Sequence, residues 1–112
     1  MMDGKTAVEI IKGKFPDTGV PVKIPLQKGG QIRIYKVEGG LDVESFSGRS
    51  FLPWGIFEET VNLLAWNGGK AGLGDAMQSK LGDSIFRQIS SIAAILVWVG
   101  ICESAPGELI LR

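Results

Sequence analysis

Apolar positions recur with two different spacings along the 112 residues of the chain, and the spacing changes near Ser45. Before that point the pattern is strand-like and broken by glycine and proline; after it the pattern is mostly helical. Asp3 or Thr6 is placed to cap a short opening helix, with Ala7, Val8 and Ile11 as its apolar stripe and Gly13 and Pro16 at its end. Residues 21–26 alternate, with Val22, Ile24 and Leu26 on one side and Lys23 and Gln27 on the other. Pro25 lies inside this run and has no N–H to give a neighbour, which predicts an edge strand. After a turn at 27–30 the alternation resumes over 31–37, Ile32 and Ile34 opposing Arg33 and Tyr35, so the two runs predict a β-hairpin. Glu38-Gly39-Gly40 predicts a second turn, and 41–43 a short third strand. Residues 45–50 are mostly polar and small and predict a loop that acts as the hinge between two halves.

Pro53 opens the clearest helix, because a proline in the first turn loses no hydrogen bond. Phe57, Val61 and Leu64 share one face, with Trp54 and Ala65 beside them. Glu58 and Glu59 stand near its positive end. Gly68-Gly69 stops it. A shorter helix is expected over 73–81, with Leu73, Ala76, Met77 and Leu81 inward. From Ile85 to Val97 the helical spacing continues, either as one helix or with Ser90 or Ser91 capping a separate last one. Gly100 ends it, and 101–103 and 108–111 predict a hairpin around Ser104-Ala105-Pro106-Gly107.

Residues 53–112 therefore read as helix, helix, helix, hairpin. The motifs are Val61-Asn62-Leu63-Leu64, then Ala76-Met77, then Ile92-Ala93-Ala94-Ile95-Leu96, followed by Val99-Gly100-Ile101-Cys102-Glu103 and the turn Pro106-Gly107 before Leu109-Ile110-Leu111. This order resembles the winged-helix variant of the helix-turn-helix. The resemblance implies a third helix in the DNA major groove and a wing hairpin on the backbone. The fold class expected is α+β: an N-terminal helix and hairpin lobe at 1–48, then a winged-helix-like lobe at 49–112, or the two as one integrated domain.

Composition narrows the chemistry. There is no histidine and one cysteine, which removes His-based triads, His-ligated zinc, an all-cysteine metal site and an internal disulfide. No cofactor and no enzyme activity are expected. Twelve Lys and Arg balance twelve Asp and Glu, and neither half carries a charge excess of note. The opening Met1-Met2-Asp3-Gly4-Lys5 shows no secretory pattern. The longest apolar stretch, 89–102, falls short of the ~20 residues of a membrane span. Cys102 sits in apolar sequence with no cation adjacent to lower its pKa, as a small core residue does. A cytoplasmic protein with no membrane contact is the expectation.

Several local features have a structural reading and a functional one. Gly68-Gly69-Lys70-Ala71-Gly72-Leu73-Gly74 lacks the Ser or Thr after its lysine, and a helix precedes it where a phosphate loop needs a strand. It reads as an interhelical connection, with phosphate contact through Lys70 as the alternative. Asp75 and Asp83 suit helix starts. Adjacent Glu58 and Glu59 diverge by about 100° on a helix and cannot easily share an ion. Arg33-Ile34-Tyr35-Lys36 has the look of a basic-aromatic strand for single-stranded nucleic acid, but it lacks a second aromatic, so it reads as an ordinary solvent face of the hairpin.

The leading expectation is a small DNA-binding or regulatory protein that binds duplex DNA through Lys70, Lys80, Arg87, Ser90, Ser91 and Arg112. The alternative is a non-catalytic protein-interaction or assembly module. It is favoured by the zero charge balance and by a third helix that is apolar nearly all round. Ile95 and Trp98 are then the expected interface residues, and a homo-oligomer the expected state.

Overall fold

The computed structural model describes residues 2–17, 19–26, 30–45, 48–72, 88–105 and 108–112. Helix α1, Gly4–Lys14, begins where the sequence predicts. The Asp3 carboxylate accepts from the Thr6 N–H at 2.8 Å, and the Asn62 side-chain oxygen accepts from the Gly4 N–H at 2.8 Å. Two N–H groups that a helix start leaves without partners are thereby satisfied. Ala7, Val8 and Ile11 are buried, as expected.

Strands β1, Val22–Pro25, β2, Gln31–Val37, β3, Gly40–Ser45, and β4, Gly48–Pro53, form an antiparallel sheet in the order β1-β2-β3-β4. The predicted hairpin is β1–β2, and Pro25 closes an edge strand. The expected loop and hinge at 45–50 is corrected: β3 runs on to Ser45, and β4 begins at Gly48 and pairs with it from Ser45↔Gly48 to Gly40↔Pro53. Only Leu52 of β4 is buried, so this strand has no apolar alternation to reveal it. Its partner's backbone holds it in place. Gly40 faces Pro53 so closely that a Cβ there would overlap the Leu52 carbonyl. Ile24, Ile32, Ile34, Leu41, Val43 and Leu52 form the buried inner face.

The Trp54 N–H donates to the Gly39 carbonyl at 3.1 Å, which ties the β2–β3 turn to the start of helix α2, Trp54–Trp66. Pro53 is its N-cap, one position before the predicted first turn, and Glu58 and Glu59 lie beyond the first turn. Phe57, Val61 and Leu64 are buried as the spacing predicts; Thr60 is buried too, its hydroxyl donating to the Ile56 carbonyl at 2.7 Å. The helix ends in a Schellman motif. The Gly69 N–H reaches Leu64 O at 2.7 Å and the Gly68 N–H reaches Ala65 O at 3.3 Å, both glycines at positive φ.

The chain then enters strand β5, Lys70–Gly72. This corrects the expected glycine-rich connection: Lys70 pairs with Ile110, Ala71 with Leu109 and Gly72 with Glu108. A strand this short, with a glycine inside it, offers no period for a sequence pattern to catch. The helix expected over 73–81, with Asp75, Asp83, Lys80 and Arg87, lies outside the described residues.

Helix α3, Ile89–Trp98, starts from Gln88 with no side-chain cap, so Ser90 and Ser91 belong to its first turn. A second Schellman motif ends it: the Ile101 N–H reaches Leu96 O at 3.0 Å, the Gly100 N–H reaches Val97 O at 3.1 Å, and Gly100 has φ +86°. Strands β6, Cys102–Ala105, and β7, Glu108–Leu111, form the predicted hairpin, and the small sheet has the order β5-β7-β6.

The fold is α+β. One apolar cluster takes in α1, the inner face of the four-stranded sheet, α2, α3 and the small sheet, with α3 packed against both β1 and β6. The expected boundary at 48/49 falls within β4, after its first residue Gly48.

Candidate functional site

Of the residues expected to meet DNA, Lys70 and Arg112 come together. Lys70, Ile110 and Glu103 form one row across β5, β7 and β6, and Arg112 reaches the same face, where its Nε stands 3.3 Å from Glu103. Glu108 lies on β7 two residues from Ile110, so acids match bases on this face. Ser90 is exposed on α3, and Ser91 is half-buried and turned to the β3–β4 hairpin of the four-stranded sheet. Lys80 and Arg87 are outside the described residues.

Helix α3 is enclosed. Ile89, Ile92, Ala93, Ala94, Ile95 and Leu96 are all buried, and Trp98 stacks at a tilt on Phe15 with ring centroids 5.3 Å apart. Ile95, expected at an interface, is fully inside the chain's own core. The reason is the first lobe: β1 and the end of α1 cover the side of α3 that the sequence left without a partner. Trp98 keeps 41% of its surface exposed.

The outer face of the four-stranded sheet is the surface that sequence reasoning missed. The register lines up Lys23, Arg33, Glu44 and Arg49 across all four strands, and beside this row it lines up Tyr35, Asp42 and Phe51. Arg33 pairs with Glu44 at 3.4 Å. The Arg49 guanidinium lies over the Tyr35 ring, 4.5 Å from its centroid. Phe51 is 47% exposed. The second aromatic that Tyr35 lacks in sequence is supplied by β4, the strand hidden as a loop. The one signal available was Phe51 itself, an aromatic next to a basic-polar stretch.

Two further places hold polar or thiol groups. A cavity of about 590 Å³ lies between the inner side of the β3–β4 hairpin and the first turn of α3, with Ser45, Ser50, Gln88 and Ser91 in its lining. Its lining residues bring hydroxyls, an amide and Arg49, and no carboxylate or thiol. Cys102 is fully buried, and burial pushes its thiol up to about 12, against a smaller downward pull from Arg112. Such a thiol stays protonated and is a poor nucleophile. Among the described residues no three His, Cys, Asp or Glu side chains converge where a metal ion would sit, and no helix is long and apolar enough to cross a membrane. In comparison with known proteins, no family model matches the chain, and no curated protein or solved structure is significantly similar to it.

Proposed function

We propose that the chain is a non-catalytic interaction module that binds through the outer face of its four-stranded sheet. The burial of α3 carries this reading. A helix that reads a duplex presents polar side chains to base edges. Here the helix in that place has six of its ten residues in the core, and only Ser90 and Trp98 are exposed. Inserting it in a groove would require peeling off β1 and the end of α1. The outer sheet face needs no such opening, since Lys23, Arg33, Arg49 and Phe51 on it are already exposed and Tyr35, Asp42 and Glu44 half-buried.

A winged-helix reading with duplex DNA is the second proposal. It is favoured by the order of α2, α3 and the β6–β7 hairpin, and by Lys70 and Arg112 sharing one face of the small sheet. Affinity for a duplex comes mainly from phosphate neutralisation and falls steeply with salt. Glu103 and Glu108 on the same face oppose it.

Fluorescence anisotropy on a labelled duplex separates the two. The interaction module predicts no duplex binding at ~50 mM salt that Ser90→Glu weakens. Duplex binding that drops steeply by ~200 mM salt, weakens in Ser90→Glu and loses about one unit of salt slope in Lys70→Ala would replace it with the winged-helix reading.

A further inference from the structure

We propose that the ligand of the outer sheet face is a single-stranded nucleic acid; this rests on the reading of that face as the binding surface. The argument is the placement of two parallel rows. Lys23, Arg33 and Arg49 stand in a row crossing the strands, three cations against the single acid Glu44. Neighbouring strands are about 4.8 Å apart, so the row spans about 14 Å, the reach of two or three backbone phosphates. One pleat repeat away, about 7 Å along the strands, lies the row that carries Tyr35 and Phe51. A single strand laid across the sheet therefore meets cations with its phosphates and flat groups with its bases.

The flat groups suit that use. Phe51 presents an open ring, 47% exposed, lying beside the Gly39 turn. Tyr35 is already covered by the Arg49 guanidinium at 4.5 Å, so this platform shows a guanidinium plane backed by a ring. Bases stack on both kinds of surface. A duplex has its bases paired and stacked inside and can use only the cationic row. An acidic polypeptide can likewise use the cations but gains little from the open ring. Asp42, between Tyr35 and Phe51, is the one group in the second row that repels a phosphate.

The test uses the whole chain and three labelled probes in anisotropy titrations: oligothymidylate of ~12 nucleotides, a duplex of matching length, and poly-glutamate. Oligothymidylate is expected to bind with a log–log salt slope of roughly −1.4, from the two net charges of the row once Glu44 is set against Arg33, at about −0.7 each on a single strand. Phe51→Ala should weaken it by about 5- to 150-fold, the range for one stacked base, while Phe51→Trp keeps it. Asp42→Asn should tighten it, an outcome that loss of folding cannot imitate. Trp66→Ala, on a different exposed aromatic, should change nothing. Poly-glutamate bound in preference to oligothymidylate overturns the nucleic-acid ligand and leaves the binding face standing. Single strand and duplex bound alike, with no change in Phe51→Ala or Asp42→Asn, overturns both. Failure of all three probes overturns the nucleic-acid ligand alone, since an interaction module also accepts partners with neither phosphate nor carboxylate.

Discussion

Gly4 lies where the start of α1 packs against α2. A Cβ there would run into the Glu58 backbone carbonyl and its side chain. In a free helix Gly→Ala gains about 1 kcal/mol of propensity. Here the overlap is with backbone, and forcing atoms into a packed contact costs about 1–3 kcal/mol. The clash therefore outweighs the gain, and Gly4→Ala should lower the melting temperature in a circular-dichroism scan; an unchanged or raised value would show that the helices can part at little cost. Cys102 gives the second expectation at this scale. Its folded pKa lies above its ordinary value of 9.0, so the neutral thiol is the form the core accepts. That contribution is whole below about pH 9 and is lost as the pH climbs towards about 12. Native protein should not react with a thiol-specific disulfide reagent at pH 8, and Cys102→Ala should flatten the loss of stability above pH 9. Rapid labelling of the native protein would contradict the burial.

The two Schellman motifs are the decisive local events at the level of elements. Each turns a helix sharply into a strand of the small sheet, α2 into β5 and α3 towards β6. Gly100 has open space around a would-be Cβ, so a substitution there meets no neighbour and its cost is conformational. A left-handed φ costs an L-residue about 1–2 kcal/mol, and asparagine tolerates it better than alanine. Gly100→Ala should therefore lower unfolding stability in urea by about 1–2 kcal/mol and Gly100→Asn by less; equal losses would point to a packing cause. These glycines were legible from sequence as helix stops. The strands they lead to were not equally so: β6 and β7 alternate or are apolar enough to be seen, whereas β5 is three residues long and borrows its place from β7. The same holds for β4, which is nearly all exposed and exists through its ladder with β3.

Whole-molecule packing decides where α3 belongs. Its sequence demands cover on every side, and a second copy of the chain was one way to supply it. The chain supplies its own, from β1, β6 and the end of α1. Ile95→Ala should then cost about 2–5 kcal/mol in stability, as a buried isoleucine does, with no change in sedimentation relative to the parent. A shift in oligomeric state at preserved stability would restore Ile95 to an interface. Of the two residues expected at a homo-oligomer interface, Trp98 is the one still exposed, at 41%; Trp98→Ala tests that expectation in the same sedimentation runs.

By itself the sequence determined the period of each major element, the helix stops, the edge character of β1 and the lack of histidine-based chemistry. These are local properties: a side chain's polarity, a glycine's permitted φ, a proline's missing N–H. Only the tertiary structure decided that β4 is a strand, that α3 faces inward on both sides, and that Phe51 joins Tyr35 in one row above a line of cations. Each of those depends on what another part of the chain brings alongside, a backbone ladder in the first case and a covering sheet in the second. For the third it is a register that puts residues sixteen positions apart on one face.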